Sequence, residues 1–285
     1  MSLQFGDLPQ PYHDRVTSKA VIVPVPYDGT STWNKGADKG PGAIIEASVH
    51  MELYDIETGR DIYRIGIHTD QELEISPDPA VMVDQVRTRV AAWLDLQKFV
   101  VTLGGEHSVS VGAIQAHYHR YPGMSVLQLD AHTDLRDQYE GSPFNHACVM
   151  ARAKELCPVT HVGIRSMDAA ELSSAETGRI FYQEAIKDQT GWIDQVLETL
   201  HGKVYLTLDL DVLDPAIMPS TGTPEPGGMD WYSLLRLVRE VAEKREIVGF
   251  DVVELCPNPI NRAPDFLAAK LIYKILGYCL DEQHK

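Results

Sequence analysis

The residues of this 285-residue chain best able to do chemistry are carboxylates and imidazoles bunched into four short segments. These are Leu103–Ser108 (LGGEHS), Leu129–Asp134 (LDAHTD), Leu208–Pro215 (LDLDVLDP) and Phe250–Leu255 (FDVVEL). Asp130, His132 and Asp134 are spaced i, i+2, i+4, and alternate side chains of an extended chain project to one side. Asp209 and Asp211 repeat the pattern. Bare carboxylates gathered at the end of a buried strand carry a free-energy cost that a divalent cation removes. With His107 the set holds Asp130, Asp134, Asp209 and Asp211 plus two imidazoles, enough charge to balance two divalent ions with carboxylates bridging them. Oxygen-rich sites with some imidazole suit Mn²⁺, whereas structural zinc would call for thiolates. Two ions about 3.5–4 Å apart acidify and aim a water, so metal-assisted hydrolysis is expected. A lone D-x-H-x-D is weak, because surface Asp and His are common. The joint occurrence of these segments, beside a Gly-Gly-Glu-His turn, is what points to metal.

Such groups need a rigid frame. Apolar runs predict strands at Ala20–Val25, Tyr63–Ile67, Phe99–Leu103, Ser125–Asp130, Thr160–Ile164, Arg179–Tyr182, Val204–Asp211 and Val248–Leu255. Most are rich in Val, Ile and Leu with little alternation, as strands buried on both faces should be. Val83, Val86, Val90 and Trp93 recur at helical spacing, as do Leu234, Leu237, Val238 and Val241. Asp265, after Pro264, is a candidate cap for a last helix running to about Leu280. Strands alternating with helices predict an α/β fold with a mainly parallel sheet covered on both faces. Nothing in the composition divides the chain, so residues 1–285 read as one domain. Loops rich in Gly, Pro, Asn or Asp are expected at Asp28–Pro41, Leu135–His146, Asp214–Gly228 and Pro257–Pro264. They follow strands, where ligands of open α/β sheets bind.

Bulk properties exclude several classes. The formal charge of −16 argues against nucleic acid; it is compatible with a cationic substrate, though solubility alone explains it as well. No apolar run approaches the ~18–20 residues of a membrane span. The start, MSLQFGDLPQPYHDR, has no signal-peptide pattern, so a cytoplasmic location is expected. Cys148, Cys157, Cys256 and Cys279 form no metal or disulfide framework.

These segments resemble the ureohydrolases, the family of arginases, agmatinases and their relatives. The resemblance runs from Pro26–Ile44 (PYDGTSTWNKGADKGPGAI) through GGEHS, LDAHTD, Gly163–Ser166 (GIRS) and Leu208–Gly228 to FDVVEL. It implies a three-layer α/β/α domain and two Mn²⁺ per chain. One ion would be held by His107, Asp130, Asp134 and Asp209, the other by Asp130, His132, Asp209 and Asp211. His146, Glu254 and Asp134 are then the catalytic residues. Glu254 matches the carboxylate that grips the guanidinium, whose N–H fork suits two-point binding. His146 matches a proton shuttle to the leaving amine, apt for a group titrating near neutrality. The other histidines, including His117, His161 and His284, match no motif. Assembly as a homo-oligomer, a trimer or hexamer, is implied by the resemblance alone.

The implied substrate is a small cationic guanidino compound cut to an amine and urea, with agmatine leading. The loop Asp134–His146 is nearer the agmatinase pattern than that of arginases, which read an α-carboxylate there. Asn145 departs from the usual Ser. The Leu-Cys-Pro-Asn-Pro run entering Pro257–Pro264 departs from a common Tyr-Asp pair. Asp168 and Glu171 occupy positions with which arginases bind an α-amino group, so they are candidate substrate ligands. They equally suit a longer cationic tail such as that of aminopropylagmatine; guanidinobutyrate, arginine and formiminoglutamate stay open. A metal-dependent amide hydrolase of the deacetylase kind would not need bridging by Asp130 and Asp209. A non-catalytic homologue acting as a binding partner should have lost ligands, yet all six are present. Cys148 and Cys256, each two residues from a candidate site residue, either line the pocket or lie buried and inert.

Overall fold

β1 (Ala20–Val25) is buried at every position, and its alternate residues enter different layers. Ala20 and Ile22 join one apolar core, whereas Val21, Val23 and Val25 join another. A strand covered on both faces requires helices on both sides. The computed structural model, which describes residues 3–280, has that arrangement.

The remaining strands are β2 (Tyr54–Asp55), β3 (Arg60–Asp61), β4 (Ile67–Thr69), β5 (Phe99–Gly104), β6 (Ser125–Leu129), β7 (Val159–Ile164), β8 (Ile180–Tyr182), β9 (Lys203–Asp209) and β10 (Glu246–Val253). Eight of the strands form one sheet, in the order β4-β1-β5-β10-β9-β6-β7-β8. All its pairings are parallel; β2 and β3 make a separate antiparallel pair. The helices are α1 (Gly40–Ser48), α2 (Pro79–Asp95), α3 (Val109–Arg120), α4 (Val149–Lys154), α5 (Gln183–Ile186), α6 (Trp192–Thr199), α7 (Trp231–Lys244) and α8 (Ala263–Leu280). Met82 and Val86 of α2, Ile114 of α3 and Met150 of α4 pack with Val21, Val100 and Val126 on one face. Ile44 of α1, Val196 of α6, Leu237 of α7 and Ile272 of α8 pack with Ile22, Leu127 and Leu206 on the other. The expected three-layer α/β/α fold is therefore present. Among the described residues, no helix is long and apolar enough to cross a membrane.

Local expectations differ in three places. The strand expected at Tyr63–Ile67 is instead a 3₁₀ turn, Ile62–Ile65, followed by β4. Gly66 between them has φ of +78°, and a Cβ there would stand 2.7 Å from Ser18 Cα, so the chain must turn rather than extend. Asp265 does not cap α8; it is buried in the first turn and paired with Arg262. Finally, β6 and β9 stop at Leu129 and Asp209, and β10 stops one residue before Glu254. Most of the chemistry-bearing side chains thus lie beyond the carboxyl ends of central strands, where the backbone is free to bend.

The Gly-Gly-Glu-His turn is locked between neighbours. Gly105 N–H donates to Val25 O at 2.9 Å, Glu106 N–H to Tyr27 O at 2.8 Å, and Glu254 N–H to Gly105 O at 2.7 Å. The backbones approach so closely that a Cβ on Gly105 would lie 2.0 Å from Tyr27 O. We expect Gly105→Ala to force the turn apart at about 1–3 kcal/mol or more. A thermal melt unchanged from wild type would show that the turn is not held in this way.

Candidate active site

Two groups of side chains converge at the end of the central strands: His107, Asp130 and Asp134 in one, and Asp130, His132 and Asp211 in the other. Asp130 belongs to both. His107 Nδ1 lies 3.1 Å from Asp130 Oδ2, 2.9 Å from Asp134 Oδ2 and 3.6 Å from Asp209 Oδ2. His132 Nδ1 lies 3.0 Å from Asp211 Oδ2 and 3.5 Å from Asp130 Oδ1. The convergence was expected, but not its route. The segment after β6 is bent rather than extended, and Asp134 has φ of +52°. Asp211 sits in a 3₁₀ turn, its N–H donating to Asp209 Oδ1 at 2.8 Å. Ala131 N–H in turn donates to Asp211 Oδ1 at 3.0 Å, tying the two loops together.

The donor set fits divalent cations. His107 Nδ1 is fully buried and has no hydrogen-bond partner, despite the carboxylates around it. Its ring is set from behind: Nε2–H donates to Thr207 Oγ1 at 2.9 Å, and Thr207 O–H donates to Asp251 Oδ1 at 2.8 Å. The lone pair is left on Nδ1, facing three carboxylates. Ligand atoms around an octahedral ion at about 2.1 Å lie about 3 Å apart, close to the spacing seen here. Without a cation, burial and mutual repulsion disturb several of these groups. Asp134 is pushed up to about 7 by burial and by Asp130, and Asp209 is raised by burial and by Asp211. Asp130 resists its burial and stays well below the usual carboxylate range, because the imidazoles of His107 and His132 stand beside it. His132 is lifted to about 12, chiefly by Asp211, against the effect of burial. Protons are thus held where positive charge is needed.

Glu254 and His146 border the same cleft of about 280 Å³. Glu254 is buried at φ of +69°, a strained backbone for a side-chain-bearing residue. Its Oε1 accepts His107 N–H at 2.7 Å. Burial, reinforced by Glu106, raises its pKa well above the ordinary value, so the pocket favours a cationic partner. His146 is pushed down to about 4 by burial and by positive charge at His107 and His132.

Residues 18–277 match the Arginase family. The chain belongs to that family. It is 38% identical over 276 residues to the N(1)-aminopropylagmatine ureohydrolase of Synechocystis sp., spanning 93% of this chain and 90% of that protein. It is 37% identical over 284 residues to the enzyme of the same name from Thermus thermophilus, spanning 97% and 94%. The crystal structure of agmatine ureohydrolase of Thermoplasma volcanium superposes with a TM-score of 0.87 at 32% identity, covering 97% of this chain and 94% of that one. The protein is an agmatinase-like ureohydrolase, a metal-dependent amidinohydrolase.

In this ureohydrolase Asp168 and Glu171 also border the cleft, but differently. They form a capping box on a 3₁₀ turn at Ala169–Ser173. Glu171 is buried with both oxygens engaged: Thr133 O–H and Leu135 N–H donate to Oε2, and Asp168 N–H to Oε1. It holds the residues on either side of Asp134, Thr133 by its side chain and Leu135 by its backbone. Asp168 is the more open carboxylate, and Arg136 donates to its Oδ2 at 3.3 Å. Neither Cys148 nor Cys256 lines the cleft. Cys148 is buried, and burial raises both thiols, to about 11 and about 12, which removes the thiolate that reactivity requires. Asn145 caps the turn carrying His146, accepting Ala147 N–H at 3.1 Å as the usual Ser could. Among the motif-less histidines, His161 is buried and pairs through Nδ1 with Gln128 Oε1, whose amide donates to Asp130 Oδ2 at 2.7 Å; His284 lies outside the described residues.

Thr207, Asp251, Gln128, Glu106 and Thr30 were not singled out from sequence. A signal existed for two of them: Gln128 and Thr207 stand two residues before Asp130 and Asp209, on the same side of their strands.

Metal removal should expose the crowding. A carboxylate whose folded pKa is raised loses stability as pH climbs from the unfolded value to the folded one. For Asp134 that window is about 3.8 to about 7. An imidazole whose folded pKa is raised contributes fully below its unfolded value and loses that contribution as pH rises, from 6.5 toward about 12 for His132. Both slopes have the same sign. Chelator-treated protein should therefore melt at lower temperature at pH 9 than at pH 6, and added divalent cation should raise the melting temperature more at pH 9. A metal-dependent gain equal at both pH values, or larger at pH 6, would contradict this account.

Proposed function

We propose that this chain hydrolyses the guanidino group of an aminoalkylguanidine, with N(1)-aminopropylagmatine ahead of agmatine. The observation that carries the reaction is the pair of His/Asp groups sharing Asp130, with the Glu254 carboxylate in the same cleft. In this reading His107, Asp130, Asp134 and Asp209 hold one Mn²⁺, and Asp130, His132, Asp209 and Asp211 hold the other. When bound, the ions supply Lewis acidity and lower the pKa of water at the site. Glu254 receives the guanidinium N–H groups and holds the central carbon in place. Water adds to that carbon, the bond to the alkyl nitrogen breaks, and urea and an alkylammonium leave. The uncharged imidazole of His146 takes one proton from the water and returns it to the departing nitrogen, and the water's second proton follows to the released amine as the urea carbonyl forms. Manganese, a cytosolic location and a trimer or hexamer belong to the same reading.

The charge around the tail supports a cation there. Beyond Glu254 and the metal-binding groups, the charged side chains bordering the cleft are Arg136, Asp168 and Glu171. Arg136 is committed: its guanidinium pairs with Asp168 at 3.3 Å and Glu171 at 3.5 Å, and stacks 4.5 Å over the Tyr139 ring. It is therefore poorly placed to receive an α-carboxylate, while Asp168 keeps an exposed face for an ammonium. The names of the relatives at 37–38% identity favour the longer tail; that of the solved agmatine ureohydrolase favours agmatine as the second reading.

Urea release by manganese-loaded protein over a panel of guanidino compounds tests the proposal. We expect aminopropylagmatine to exceed agmatine in kcat/KM, and either to exceed arginine and guanidinobutyrate by about 100-fold or more. Asp168→Asn should lower kcat/KM for aminopropylagmatine more than for agmatine. Higher turnover of a carboxylate-bearing compound would sink the cationic-tail reading. Agmatine outrunning aminopropylagmatine would assign the shorter substrate.

A further inference from the structure

We infer that Thr30 is a positioning residue for the reaction: it fixes the tautomer of His146 so that Nε2 turns a bare lone pair to the cleft. The inference rests on the ureohydrolase reading, in which His146 carries the proton. Thr30 lies in the loop after β1, far from His146 in sequence. Its N–H donates to Glu106 Oε2 at 2.8 Å, and its hydroxyl lies 2.8 and 2.9 Å from the two Glu106 oxygens. Glu106 is fully buried and also accepts the Ser108 hydroxyl. Three donors converge on this carboxylate, and a hydroxyl owns a single hydrogen. With that hydrogen given to Glu106, Thr30 Oγ1 can only accept from other groups.

His146 meets that oxygen twice, through its backbone N–H at 3.0 Å and through Nδ1 at 3.3 Å. Nδ1 must therefore carry the ring hydrogen, and Nε2 on the opposite edge is left without one. The Tyr139 ring stands edge-on to the imidazole, centroids 6.1 Å apart. A proton taken from the attacking water lands on Nε2 and makes the ring cationic. The proton then passes from Nε2 to the leaving nitrogen, and Thr30 transfers none.

The test uses Thr30→Val and Thr30→Ser, each in wild-type and His146→Ala backgrounds, in manganese-loaded protein. Thr30→Val removes the hydroxyl at nearly constant volume and should lower kcat by about 10–100-fold, with KM and bound metal unchanged. Thr30→Ser should restore kcat to near the wild-type rate. In the His146→Ala background Thr30→Val should cost nothing further, because its effect passes through the imidazole. Equal losses in Thr30→Val and Thr30→Ser, or losses that multiply with His146→Ala, would overturn the proposal. A second readout needs no turnover: ¹⁵N spectra of histidine-labelled protein loaded with diamagnetic Mg²⁺, His146 being assigned from the signal missing in His146→Ala. Hydrogen on Nδ1 is expected; hydrogen on Nε2 would refute the assignment. A wild-type protein that releases urea from no guanidino compound would overturn the function instead, and the spectra would still report the tautomer.

Discussion

The constraint on which this structure depends is electrostatic. Asp130, Asp134, Asp209, Asp211 and Glu254 are all buried at one end of a parallel sheet. Burial alone would neutralise such a cluster by protonation or unfold it, since isolated buried charge is among the most costly features a protein can hold. Divalent cations held by these groups would resolve the conflict and would supply Lewis acidity there. The strain around the site has the same origin. Asp134 and Glu254 adopt left-handed backbone conformations that aim their carboxylates inward, and such conformations persist only where neighbouring structure over-determines them. Here that structure includes the Gly-Gly-Glu-His turn wedged between β1 and β10 and the paired loops after β6 and β9.

The layers and the sheet were legible in the sequence because they depend on composition over several residues. β1, β5, β7 and β10 read as apolar runs for the simple reason that both of their faces are covered. The turn at Ile62–Ile65 was not legible in the same way. Tyr63–Ile67 has the residue types of a strand, and what prevents one is Gly66 passing against Ser18, a contact between segments far apart in sequence. The β2–β3 pair was missed because each strand has two residues, too few to carry a period.

The site divides along the same line. Of the six residues proposed as metal ligands, five meet in the two clusters and Asp209 stands 3.6 Å from His107; that they belong together was legible because Asp and His clustered at strand ends have few structural explanations. The geometric reason offered for their convergence was only partly right: bent loops, not an extended strand, bring Asp134 and Asp211 into place. The supporting side chains are of ordinary types, and their roles arise from register. Asp251 stands opposite Thr207 across the β10–β9 pairing, and that adjacency turns a threonine into the group that orients His107. Thr30 and Glu106 meet only after β1 and β5 lie side by side. No local pattern announces such pairs, although a buried carboxylate next to a metal-binding histidine always raises the question of what satisfies it.

Chemistry and selectivity are built on different parts of the chain, yet they are mechanically joined. The candidate metal-binding groups and Glu254 sit at or just beyond the ends of strands, in short bent segments held by the neighbouring strands. The tail region is made of two loops, one carrying Arg136, Tyr139 and His146, the other Asp168 and Glu171. Glu171 fastens the loops together, because it accepts from Thr133 and Leu135 on one and from Asp168 on the other. Those first two contacts bracket Asp134. A change at Glu171 therefore reaches the Asp134 segment directly, whereas a change at Asp168 or at the tip of Arg136 reaches it only through their contacts with Glu171. Selectivity can diverge within this fold through the exposed pair while the buried glutamate stays bound to the frame of the catalytic centre.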